Sequence, residues 1–204
     1  MSGIRHHILS VSVFIVLAAL DFMPMHFHGW MILPLLWLSM CALSRKQYVL
    51  ATALFFSFLG DVMGWQRELI PQIGFFALAQ VTYIILFSLL KPPSATWPKP
   101  VRVGFLLLLA GIYGTATCWI FPRVTDSIVM GGMAVYALLL LAMCYAAFCH
   151  KNLFLTVGAV LFVVSDFIIG VNLFVCHIPH SFLCIMVPYY LGQLLLYVGA
   201  QRLY

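Results

Sequence analysis

Long apolar runs, broken by short polar stretches, dominate the chain. Eight of them are expected to form helices, at about 7–22, 29–44, 47–65, 71–90, 101–121, 127–148, 152–174 and 181–201. A helix rises ~1.5 Å per residue, so roughly 20 apolar residues cross the hydrocarbon core of a bilayer. The second run is the shortest and contains Pro34, which points to a tilted or re-entrant segment interrupted at that residue. The first, from His6 to Leu20 behind Arg5, has the outline of a signal peptide. It lacks a small-x-small cleavage site and is read as a retained helix. The clearest break is the Pro-rich stretch 91–100, which cannot continue a helix and divides the chain into halves of about 1–90 and 101–204.

Composition agrees with this pattern. Of the 204 residues 65% are hydrophobic and 7% charged, with a mean hydropathy of +1.11. A water-soluble domain of this size needs far more charge to cover its surface. The expected fold is all-α, a single polytopic transmembrane bundle of about eight helices in two four-helix halves. The formal net charge of +5 is then a matter of topology, with no nucleic-acid partner implied. With the N-terminus in the cytoplasm, Arg5, Arg45, Lys46, Lys91, Lys99, Arg102, Lys151 and Arg202 fall inside, and Arg67 and Arg123 outside. That places 8 of the 10 basic residues on the cytoplasmic side, with both termini there. Short loops and the absence of retention signals point to a bacterial inner membrane.

Five acidic residues are present, and Asp21, Glu68 and Asp126 fall at helix ends or in loops. Asp61 and Asp166 sit inside spans three and seven, each about 14 residues, or ~21 Å, from the cytoplasmic start. An ionised aspartate near the bilayer centre costs at least ~2.5–3.5 kcal/mol, so such a group faces a cavity, pairs, or stays protonated. Desolvation favours the neutral form of a carboxyl, and a neighbouring carboxylate adds to the effect. Two aspartates at one depth can therefore serve as an acid and a base, the more desolvated being the acid. Hydrogen bonding between helices is the simpler use of such residues. Ser57 and Gly64 share the face of Asp61. Gln80 with Tyr83, and Tyr190 with Gln193 and Tyr197, form further polar faces that could line one cavity with the aspartates.

Other chemistry is weaker. His26-x-His28 and His177-x-x-His180 lie in two outer loops without a third ligand set by spacing, so no metal is expected. The six cysteines form no CxxC pair; Cys176 and Cys184 flank one loop and could be bridged on an oxidising side. Trp30, Trp65, Trp97 and Trp119 lie near span ends, as an interfacial aromatic belt requires.

The halves also show a faint likeness, Phe55-Phe56-Ser57-Phe58-Leu59-Gly60-Asp61 paralleling Val160-Leu161-Phe162-Val163-Val164-Ser165-Asp166. Together with Gly74-Phe75-Phe76-Ala77-Leu78-Ala79-Gln80-Val81-Thr82-Tyr83, Gly158 ahead of Asp166, and Tyr189-Tyr190-Leu191-Gly192-Gln193, these stretches resemble the YhhN-like lysoplasmalogenase family of eight-span membrane proteins, nearly end to end. The resemblance implies hydrolysis of the vinyl ether bond of a lysophospholipid substrate within membrane lipids, without a cofactor. It implies Asp61 and Asp166 as the catalytic pair. The family's fourth-span motif reads His-x-x-Tyr, whereas this chain has Gln80 before Tyr83, which can hydrogen-bond but not titrate. Ser57, Gln80, Tyr83, Tyr190 and Gln193 are the expected substrate contacts, with Arg67 a candidate for the phosphate. The rival expectation is a proton- or ion-coupled transporter, which broken helices near mid-membrane would favour. A structural or lipid-binding role predicts that replacing the aspartates alters stability alone.

Overall fold

The computed structural model describes residues 2–23, 28–90, 93 and 96–204, the side chains of 2–7 and 28–29 excepted. Eight α-helices follow one another: α1 (Ser2–Asp21), α2 (Leu33–Ser44), α3 (Tyr48–Trp65), α4 (Leu69–Leu89), α5 (Lys99–Thr115), α6 (Ser127–Cys149), α7 (Leu153–Phe174) and α8 (Ser181–Gln201). Six are long and apolar enough to cross a membrane, α5 counting with its continuation to Arg123. The chain is accordingly an integral, multi-pass membrane protein. Of the His26-x-His28 pair, His26 and the side chain of His28 lie outside the described residues.

The second span differs from expectation. A 3-10 turn, His28–Ile32, precedes α2, which has only 12 residues, or ~18 Å. Pro34 does not interrupt this helix; it sits in its first turn, where the missing N–H costs nothing. Span five also changes form, α5 passing into a turn of π-helix at Ala116–Ile120 and a 3-10 turn at Phe121–Arg123. All six cysteines are free, Cys176 and Cys184 among them.

The chain forms two compact units, Met1–Tyr83 and Ile84–Tyr204. In the first unit α2 packs mainly on α3, with α1 on another side. The buried stripe of α1 is Ser10, Phe14, Ala18 and Asp21, a spacing of four, four and three that keeps to one helix face. Asp21 is thus buried at the end of α1, so burial of acids extends beyond the two intramembrane ones. Trp37 donates from Nε1 to the Ser10 carbonyl (3.0 Å), tying α2 to α1, and Ser39 donates to the Ala51 carbonyl (2.9 Å), tying α2 to α3. The turn from α2 to α3 closes with Lys46 in the left-handed conformation (φ 60°) and the Gln47 N–H on the Ala42 carbonyl. The end of α3 repeats it, with Arg67 at φ 63° and the Glu68 N–H on the Met63 carbonyl. Both are six-to-one closures that satisfy a free helix carbonyl and reverse the chain within three residues.

In the second unit α7 and α8 form the tightest pair. A Cβ built on Gly158 would lie 2.8 Å from the Gly192 carbonyl oxygen, and one on Gly192 would lie 2.9 Å from that of Gly158. Only hydrogen at both positions allows the two backbones to come so close. Asp126 caps α6 through the N–H groups of Ile128 (2.8 Å) and Val129 (3.1 Å). Asn152 caps α7 through those of Phe154 and Leu155 and donates from Nδ2 to the Gly199 carbonyl of α8. The last turns of α4 belong to this unit, held by Nε2 of buried His150 against the Phe87 carbonyl (2.7 Å). Trp97 does more than mark an interface. Its ring stacks on Phe148 at 5.4 Å, its Nε1 donates to the Phe148 carbonyl (2.9 Å), and the Lys151 ammonium lies 4.8 Å from its centroid.

Candidate functional site

In the first unit, Ser57, Gly60, Asp61 and Gly64 occupy one face of α3, at the spacing of successive helix turns. Ser57 is buried and Asp61 only 3% exposed. The Ser57 hydroxyl gives its proton to the Ala53 carbonyl (3.2 Å), which leaves its oxygen as an acceptor. Helix α4 returns antiparallel and lays its side chains over the two glycines. A Cβ on Gly64 would meet Nε2 of Gln72 at 2.7 Å, and one on Gly60 would meet the Phe76 ring at 2.8 Å.

The next step of that register, four residues along each helix, brings Gln80 level with Phe56, beside Ser57 and about one and a half turns deeper than Asp61. Gln80 and Tyr83 are completely buried. Both polar atoms of the Gln80 amide are buried without a hydrogen-bond partner among the described residues. Arg67 is exposed and serves as the left-handed residue that ends α3. Its place is beyond the buried face, at the helix terminus.

In the second unit, α7 divides its polar residues between two neighbours. Ser165 is buried and donates to the Ile185 carbonyl of α8 (3.0 Å), three residues before Pro188, the proline inside that helix. Asp166, about 100° further round the helix, is half-buried and accepts a hydrogen bond on Oδ2 from the Tyr136 hydroxyl of α6. Tyr190 and Gln193 are buried on α8. The register that sets Gly158 against Gly192 and Ser165 against Ile185 puts Asp166 level with Cys184. Tyr190 and Gln193 then lie about 9 Å and about 13 Å further along the axis. The structure therefore brings Tyr136 to Asp166 and does not bring Tyr190 or Gln193 there.

Three contributors escape the sequence pattern: Tyr136, Gln72 and Phe76. Tyr136 carried one signal, a hydroxyl ten residues into a mostly apolar span that it shares with Tyr145. Phe76 stands in the stretch that carries the family resemblance without being singled out there, and Gln72 carried no signal beyond its spacing of four from Phe76. Among the described residues no group of three or more His, Cys, Asp and Glu side chains could hold a metal ion.

The sequence model of the YhhN family matches residues 23–200. The Homo sapiens protein Lysoplasmalogenase TMEM86B is 29% identical over 155 residues, which cover 76% of this chain and 64% of that protein. The Bos taurus protein Lysoplasmalogenase TMEM86A is 27% identical over 157 residues, 72% of this chain and 62% of that one. The chain thus spans somewhat less than two thirds of the length of these relatives. No solved structure matches it.

Proposed function

The chain belongs to the YhhN family, and on that premise we propose that it is a lysoplasmalogenase. In this reading it hydrolyses the vinyl ether bond of 1-alkenyl lysophospholipids to a fatty aldehyde and glycerophosphoethanolamine or glycerophosphocholine. The relatives' names support the substrate class. The observation that carries the mechanism is that the two aspartates differ in surroundings. Asp61 is almost wholly buried, whereas Asp166 is half-buried and receives a hydroxyl hydrogen bond. Two carboxyls set apart in this way divide the labour of an acid and a carboxylate.

A vinyl ether is hydrolysed by protonating the alkene carbon that is not bonded to oxygen. The proton leaves a carboxyl O–H, a C–H bond forms, and the carbon joined to oxygen becomes an oxocarbenium ion. Water adds to that carbon and loses a proton, and the hemiacetal collapses to aldehyde and alcohol. Asp61, the more buried, is assigned as the acid. Asp166, held by Tyr136, is assigned as the carboxylate that stabilises the cation. Ser57, Gln80 and Tyr83 line the acid's side. Tyr190 and Gln193, a turn or more from Asp166 along α8, are assigned to binding the substrate away from the reacting carbons. The single-chain amphiphile enters between helices with its phosphate at the outer interface, within the reach of Arg67. The membrane inferred from the short loops is a bacterial inner membrane. Helices α3 and α7 run unbroken through the aspartates, which counts against the transporter reading.

The test is aldehyde release from a 1-alkenyl lysophospholipid by the full chain in detergent. Wild type is expected to turn over, and Asp61→Asn and Asp166→Asn each to lose about 10²–10⁴-fold while remaining folded. No aldehyde from folded wild type would end the enzyme assignment. Full activity in both variants would keep the hydrolase and remove the two aspartates from it.

A further inference from the structure

Hydrolysis inside a membrane needs a water molecule where bulk water is excluded. The step assigned to Asp61 leaves a cation that goes forward to product only when such a water adds to it. The carboxyl alone does not hold it, because its role in the first half of the reaction is to face the alkene carbon. The face opposite Asp61 offers one group suited to the task.

Gln80 is 0% exposed, and both its Nε2 and its Oε1 are buried with no hydrogen-bond partner among the described residues. Leaving one such group unsatisfied costs about 1–3 kcal/mol, and this amide has two. A fully buried amide with a donor and an acceptor both to spare matches a ligand that both donates and accepts. The α3–α4 register sets it ~7.5 Å along the axis from the level of Asp61 and one residue, ~1.5 Å, past the level of Ser57, a gap its long side chain can cover. A water at that point can bridge the amide, the Ser57 oxygen and the Asp61 carboxyl, within the three or so hydrogen bonds a buried water usually makes. The position is also on the deep side of Asp61, away from Arg67 and the outer end of α3. A lipid whose phosphate stays at the outer end therefore keeps its own hydroxyl and head group elsewhere.

We infer that Gln80 is the positioning residue for the water that attacks the oxocarbenium ion, a role that rests on the hydrolase reading above. Asp61 gives its proton to the alkene carbon and becomes a carboxylate. The water on Gln80 forms the new C–O bond to the adjacent carbon and passes a proton back to Asp61. The acid is thereby restored, and the hemiacetal breaks its bond to the glycerol oxygen, which takes up the hemiacetal proton. When the water is not held in place, the cation has one other exit: it returns the proton to the carboxylate and becomes vinyl ether again.

That second exit is measurable. The full chain is assayed in detergent made up in D₂O, and the unreacted 1-alkenyl lysophospholipid is recovered at partial conversion. Wild type is expected to give aldehyde carrying one deuterium at the carbon next to the carbonyl, with recovered substrate unlabelled. Gln80→Met, close in volume and without the amide, is expected to release aldehyde at least 10-fold more slowly and to return substrate with deuterium at the alkene carbon. Slower turnover with unlabelled substrate means Gln80 is only a packing residue and overturns the inference. Unchanged turnover overturns it as well. If Gln80→Met does not fold, Gln80→Asn decides by the same readout, since it keeps both polar groups and withdraws them by one methylene. Wild type without aldehyde would sink the hydrolase reading itself, a different outcome from either of these.

Discussion

The stretch leading to Asp61 and the stretch leading to Asp166 both set a small residue immediately before the aspartate and large apolar ones further back. Yet they pack by different means. Along α7 the glycine at 158 lets the backbone of α8 come to within van der Waals distance, and Gly192 returns the contact from the other side. Along α3 the glycines at 60 and 64 are covered by the ends of side chains, the Phe76 ring and the Gln72 amide. A backbone-to-backbone contact leaves nothing that can move aside, whereas a side chain lying over a glycine can swing away. Unit for unit, the Asp166 helix belongs to a rigid pair, and the Asp61 helix faces a surface able to adjust. The aspartates differ as well, one half-buried and oriented by a tyrosine hydroxyl, the other almost wholly buried on its helix face. The difference fits a carboxylate that must stay put and an acid that must meet an incoming chain.

Among variants that keep both carboxyls and probe how the two regions differ, the largest effect should come from Tyr136→Phe, which removes the hydroxyl from Asp166 and leaves the ring. A hydrogen bond to a charged acceptor contributes about 1.5–3 kcal/mol, so turnover should fall about 10–100-fold with the thermal midpoint little changed. Steady-state aldehyde release checks this; unchanged kcat would mean that Asp166 is not set apart by its tyrosine. Next in size is a pair of glycine substitutions. Gly158→Ala forces a methyl against the Gly192 carbonyl and should cost about 1–3 kcal/mol of stability, read as a lowered unfolding midpoint in detergent. Gly64→Ala meets only the movable Gln72 amide and should cost under ~1 kcal/mol. Equal losses from the two would erase the contrast between a rigid and an adjustable pair. Asn152→Ala should also cost little, about 1 kcal/mol from the cap of α7 and its tie to α8, with aldehyde release per folded molecule unaltered. Helix α3 has no side-chain cap of this kind.

Much of this architecture can be read directly from the residues. A run of about twenty apolar residues has no other stable form in lipid than a helix, because every backbone N–H and C=O must be satisfied within the segment. The helices therefore stand close to where the pattern puts them. The exceptions are local: α2 is short because Pro34 opens it after a 3-10 turn, and α5 unwinds into a π turn before Pro122. The disulfide considered between Cys176 and Cys184 does not form, and both thiols are exposed. The site was legible in part. Asp61 and Asp166 announce themselves by the cost of charge in hydrocarbon, and Gln80 by its place on a polar face with Tyr83. Tyr136 did not announce itself, nor did Gln72 and Phe76.

The reason lies in the solvent. In water, a helix shows which face is inside by keeping its other face polar, so a residue's neighbours leave a periodic trace. In a bilayer both faces are apolar, and α6 reads almost uniformly hydrophobic all round. Nothing in such a sequence says that Tyr136 turns toward α7, that Ser165 turns to α8 while Asp166 turns to α6, or that Gln193 lies far along the axis from Asp166. Those choices are made by which backbones can approach, and Gly158 and Gly192 make that choice for α7 and α8. Sequence alone determined that this chain is an all-helical membrane protein of eight helices and carries two carboxyls where carboxyls are expensive. Only packing decided what each carboxyl touches, because in a medium as apolar as the side chains the helices are sorted by fit.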